Sequence, residues 1–227
     1  MRQPTLPPQQ ADKARLPSMS ARVQPRALAQ PQAHPEAAAQ AKLPAYFYRL
    51  SAADQKRYLA SDGVQGFRLT VTPDIRAKAE NLRAALATQR LGTITQASQR
   101  LVDALCYALG VGPPMVEVRG VRPRNQRGEL HGIFYPRPRS PYIVLWARTA
   151  KRHDLVAPKT FLRTLIHELV HHLDYALLKL GTSFHTSGFF QRESFLVRAL
   201  LLVENGKAAP AVTPAQSASI TRRAKAT

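Results

Sequence analysis

One stretch, residues 158–180, constrains this chain more than any other, because a helical apolar stripe runs through the pentapeptide His-Glu-Leu-Val-His at 167–171. At about 100° per residue, Leu162, Leu165, Ile166, Leu169, Leu173, Ala176 and Leu177 fall on one side of a helix. His167 and His171 fall on the other. Such a helix buries one face in a core and turns the other toward a cleft. Residues four apart share a helix face, so both imidazoles can reach one metal ion, with Glu168 beside its open coordination position. The spacing points to zinc as cofactor and to Glu168 as general base.

A catalytic zinc takes three protein ligands and leaves a fourth position for water. Downstream candidates for the third ligand are His185, Glu193 and Asp174. His185 is favoured, since it follows a loop opened by Gly181 and directly precedes a helix, so it can fold back over the metal. Glu193 lies within the last expected helix, where a surface charge or an ion pair with its neighbour Arg192 is the simpler role. Asp174 shares the metal-facing side of the histidine helix and suits an acceptor that orients an imidazole. His172 points about 100° away from His171 and is expected to pack or bond elsewhere. Tyr175 and Arg192 are the candidates for a second oxyanion donor.

The surrounding pattern is α+β. Helices are expected from Ser51 to about Ala60, from Thr72-Pro73-Asp74 to about Thr88, and from about Ile94 to Leu109, where Gly110 follows. After Pro113-Pro114 the period changes to two, and Met115–Val121, Glu129–Tyr135 and Tyr142–Arg148 read as strands. The last of these, YIVLWAR, is apolar on both faces and should lie inside the domain. The histidine helix, a loop over Gly181–His185 and a final helix to about Val203 complete the folded part.

Charge and composition set the partners. The formal charge is +19, of which residues 1–44 and 206–227 each carry +4, leaving +11 on the middle of the chain. Nine Lys/Arg lie between Arg119 and Arg152, with Glu129 and Asp154 as the acids nearby. A field of that sign favours a polyanion, and DNA through the basic loops 119–152 is the partner it suggests. Eight of the 18 prolines fall in residues 1–44, which with 206–227 read as disordered basic tails. There is no span for a membrane and no secretory signal, and Cys106 is the only cysteine, which suits a reducing cytoplasm.

The run HELVHHLD, the thirteen residues between His171 and His185, and His185-Thr-Ser-Gly-Phe189 together resemble the SprT-like (Spartan-type) zinc metallopeptidases. The resemblance covers about residues 94–203. It implies a minimal zincin-like domain, here residues 45–205, with a small three-stranded sheet packed on the HExxH helix and flanking helices. It also implies zinc held by His167, His171 and His185, proteolysis of a protein substrate, and in some members repair of protein crosslinked to DNA. Thr186 stands where the family usually has glycine, and no cysteine-rich zinc ribbon follows, so the accessory DNA-binding module is missing. The expected function is peptide-bond hydrolysis, with an exposed edge of the 115–148 sheet holding substrate by strand addition. The alternative is a nucleic-acid-binding protein whose metal site is only structural, closed by Asp174 or Glu193 as a fourth ligand.

Overall fold

The computed structural model describes residues 32–33, 43–126 and 128–201. Residues 1–31, 34–42, 127 and 202–227, which include most of both tails expected to be disordered, fall outside the described residues, with one correction: Gln32–Ala33 forms a short strand, β1, inside the expected tail. It pairs antiparallel with β2, Val64–Gly66. A 3-10 turn at Phe47–Arg49 leads into α1, Ala52–Asp62, where the Ser51 hydroxyl accepts the Asp54 backbone N–H. Thr72 caps α2, Pro73–Ala87, in the same way through Ile75, with Pro73 in the first turn. Helix α3, Leu91–Leu109, starts three residues ahead of the expected Ile94. It stops at Gly110, whose φ of 72° is a left-handed conformation that a Cβ would penalise.

Strands β3, Met115–Val121, and β7, Tyr142–Arg148, form where the period-two pattern puts them. The segment expected as one strand, Glu129–Tyr135, is split. Its start joins a two-stranded hairpin, β4 (Arg124–Asn125) with β5 (Gly128–Glu129), and only β6, Gly132–Tyr135, enters the main sheet. The break has a local cause, because the Leu130 N–H turns back to the Pro123 carbonyl and closes the hairpin. The main sheet has the order β3-β7-β6, with β7 parallel to β3 and antiparallel to β6. As its composition required, β7 is buried on both faces. Ile143, Leu145 and Ala147 join the core with Val116 and Val118, while Val144 and Trp146 are buried on the other side.

Helices α4, Pro158–Ala176, and α5, Ser187–Leu201, close the core beneath this sheet. Leu162, Leu165, Ile166, Leu169 and Leu173 of α4 meet Phe189, Leu196, Val197 and Leu200 of α5 in one buried cluster. Cutting one such leucine to alanine costs about 2–5 kcal/mol. Helix α4 ends four residues before the expected Leu180. Lys179 takes a φ of 55° and the Leu180 N–H returns to the Asp174 carbonyl, which winds the chain out of the helix. The early exit sends the following loop back along the histidine face of α4. The chain is therefore α+β, and no helix among the described residues is long and apolar enough to cross a membrane.

Candidate metal centre

One turn of α4 sets His167 and His171 on the same face, with ring centroids 5.0 Å apart. The returning loop brings His185 onto them. Its Nε2 lies 3.0 Å from Nε2 of His167 and 3.1 Å from Nε2 of His171. Ligand atoms of these three residues all lie within 4.8 Å of one another, and among the described residues no cysteine or carboxylate joins the group. A tetrahedral zinc with nitrogens at about 2.0–2.1 Å holds those nitrogens a little over 3 Å apart, close to the spacing seen.

The tautomers follow from what each ring bonds on its far side. His167 Nδ1 lies 2.9 Å from Oε2 of Glu193, and a carboxylate only accepts, so Nδ1 carries the hydrogen and Nε2 a lone pair. Burial works against the charge on Glu193, but bonds from His167 and Arg163 hold its carboxyl below the ordinary value. His171 Nδ1 lies 2.7 Å from the Ser183 hydroxyl, which gives its own hydrogen to Asp174 Oδ2 at 2.7 Å. The hydroxyl must therefore accept from His171, and this ring too presents a bare Nε2. One proton on His185 Nε2 can satisfy only one of its two neighbours, whereas a cation satisfies all three. That donor set fits zinc. Burial, then His167, His185 and Arg192, push the His171 pKa down to about 3, and burial lowers His185 as well, which keeps both rings neutral as ligands must be.

Phe189 is the shelf under the site. Its ring, wholly buried, lies 4.7 Å from that of His171 and 5.0 Å from those of His167 and His185. Phe190, half exposed, stacks on His185 from the solvent side. Glu168 is 6% exposed, and burial pushes its pKa up to about 7 against the pull of His167 and a bond from the Phe134 backbone N–H. That N–H belongs to β6, so the edge strand grips the carboxylate. Gly132 makes this approach close: a Cβ there would stand 2.7 Å from Glu168 Oε1 and 2.9 Å from Thr164 Cγ2. Between β6 and α4 opens a cleft of about 450 Å³, lined among others by Gly132, Thr164, His167, Glu168, Phe190 and Glu193.

Several residues take roles other than those their sequence context suggested. Glu193 is buried and not a surface charge, and the ion pair expected of it forms with Arg163, beside a bond to His167, instead of with Arg192. Asp174 reaches His171 only through Ser183, a residue with no signal in the sequence. Arg192 is wholly buried and paired to Asp174, so it cannot serve as an oxyanion donor, and Tyr175 packs against Phe134. His172 bonds the Gly112 carbonyl at 2.8 Å, away from the site as expected. Of the basic cluster, Arg122 is buried beside Glu129, whereas Arg124, Arg137 and Arg139 are exposed.

No protein-family model, no curated protein and no solved structure matches this chain.

Proposed function

We propose that the chain is a zinc-dependent peptidase with a minimal zincin-like domain, similar to the SprT-like metallopeptidases. The observation that carries this reading is the convergence of three histidines beside a buried carboxylate that lies outside their group. Zinc at such a site acts as a Lewis acid and makes water nucleophilic near neutral pH. Glu168, with its pKa brought near neutrality by burial, takes the proton of the attacking water and returns it to the leaving nitrogen. β7 is the strand paired to β6 in the main sheet, and the opposite edge of β6, apart from the Phe134 N–H that Glu168 takes, borders the cleft where an extended peptide would add as a further strand.

The structural-site alternative needs a fourth protein ligand. Asp174 is occupied by Arg192 and Ser183, and Glu193 by Arg163 and the far nitrogen of His167, so neither is available to close the coordination. An open position favours catalysis. DNA remains the partner that the exposed arginines of the basic loops favour, acting beside the peptidase site and not in place of it.

The test is hydrolysis of an unfolded protein, with and without DNA. Activity should vanish with chelator, and Glu168→Gln should keep about one zinc per chain while losing turnover by orders of magnitude. Loss of zinc together with activity in that variant would refute the role given to Glu168.

A further inference from the structure

We infer that the corner between α1 and β2, residues Ser61 to Val64, is a positioning element of the metal centre, acting on His171 and His185 from more than a hundred residues upstream. The inference rests on the metal-site reading above and extends it to residues outside the region that resembles a peptidase.

Arg192 is the hub. Its guanidinium, wholly buried, donates to the Ser61 carbonyl at 2.6 Å, to the Ser61 hydroxyl at 2.9 Å, to the Val64 carbonyl, and to Asp174 Oδ1 at 2.9 Å. Nη1 is spent on the Ser61 and Val64 carbonyls, and Nη2 joins the Ser61 hydroxyl to Asp174. Asp174 in turn holds the hydrogen of Ser183, and Ser183 then accepts from His171 Nδ1. The chain of donors runs one way: the cation keeps the carboxylate an acceptor, the carboxylate keeps the hydroxyl an acceptor toward His171, and His171 keeps its Nε2 lone pair for metal.

The same corner pins the segment that carries the third ligand. The Gly188 N–H donates to Asp62 Oδ1 at 3.0 Å, and the Thr186 and Ser61 hydroxyls lie 3.3 Å apart. At Gly188 a Cβ would run into the backbone carbonyls of Ser61 and Asp62, so the two segments touch with no side chain between them. Tyr58 of α1 packs its ring 5.7 Å from that of Phe184, the residue before His185. Thr186, where the resembled family usually has glycine, is 1% exposed and uses its hydroxyl on the corner and on the Phe189 N–H. The substitution is thereby accounted for by a partner that this chain supplies.

The experiment uses the full chain and two readouts, the tautomer of His171 by imidazole 15N NMR without metal, and zinc affinity by chelator competition. The unaltered chain should show hydrogen on Nδ1. In Asp174→Asn the carboxamide oxygen stays with Arg192 and its NH2 faces Ser183, so the hydroxyl turns to donate and hydrogen moves to His171 Nε2. Arg192→Met should give a mixture of tautomers and zinc binding weaker by about ten- to a hundredfold, partly restored in Arg192→Lys. Asp62→Ala should weaken zinc binding several-fold, on the order of a lost hydrogen bond, with the His171 tautomer unchanged. If Arg192→Met does not fold, Asp174→Asn and Asp62→Ala decide. Folded variants with the original tautomer and zinc affinity overturn the inference while leaving the metal site intact. A chain that binds no zinc but whose tautomer follows Asp174 and Arg192 refutes the metal-site reading and keeps the positioning role.

Discussion

At His171 and Glu168 burial moves two pKa values in opposite directions, and the metal-free chain should register both. His171 falls from 6.5 to about 3 on folding, so below pH 6.5 the unfolded chain binds a proton that the folded one refuses. Its contribution to stability is present above pH 6.5 and is lost as pH falls toward 3. Glu168 rises from 4.5 to about 7, so the folded chain keeps a proton that the unfolded one releases, and stability is lost as pH rises through that window. The two offset between pH 4.5 and 6.5. In the Glu168→Gln chain the opposing carboxyl is gone, and the urea midpoint should fall more steeply between pH 7 and pH 4.5 than in the parent. An equal or shallower fall would contradict the raised pKa of Glu168. The third ligand is tested at the same scale. His185→Ala removes a donor atom and should abolish tight zinc binding, whereas Glu193→Ala removes only the acceptor behind His167 and should weaken it by about ten- to a hundredfold. Calorimetric titration of the two variants separates the roles, and a greater loss with Glu193→Ala would reverse them.

Between elements, the decisive contact is β6 against α4. The strand reaches Glu168 through one backbone N–H and one glycine, and the helix supplies the carboxylate from the turn that carries His167. Gly132→Ala puts a methyl group where Glu168 now lies, and the flexible carboxylate gives way before the backbone does. Turnover should therefore fall by about a hundredfold, the usual effect of misplacing a catalytic group by an ångström, while zinc content and the urea midpoint change little. A variant with unchanged kcat would place the working position of Glu168 elsewhere. The short α4 belongs to the same account. Had it run on to Leu180, the loop would have less chain to carry Ser183 and His185 back over the histidine face.

Over the whole molecule, residues 45–205 carry a formal charge of +11, and among the described residues Arg124, Arg137, Arg139, Lys151 and Arg152 are exposed. Arg122, buried and facing Glu129, does not belong to that footprint, and Arg137 lies over the Tyr142 ring at 4.5 Å. If the field binds DNA, changing Arg124, Arg139, Lys151 and Arg152 together to Ala should weaken binding and flatten its salt dependence by about 0.9 in log–log slope for each phosphate no longer neutralised. Fluorescence anisotropy at low salt, read without measurable binding to the parent chain, would leave those residues as solvated surface.

What local patterning can carry was legible in the sequence. Periodicity placed α4 and its two histidines, the caps at Ser51 and Thr72 started two helices, Gly110 ended a third, and the two-faced apolar run placed β7 inside. These depend on residues within a few positions of one another, so the chain states them directly. Three features needed the tertiary structure: the split of Glu129–Tyr135 into hairpin and edge strand, the partners behind each histidine, and the role of the α1–β2 corner. Each depends on groups brought together across long stretches of chain, where a buried guanidinium or carboxylate takes whichever partner the fold leaves within reach. No spacing in the sequence encodes that choice, because it is made by desolvation once the core has closed.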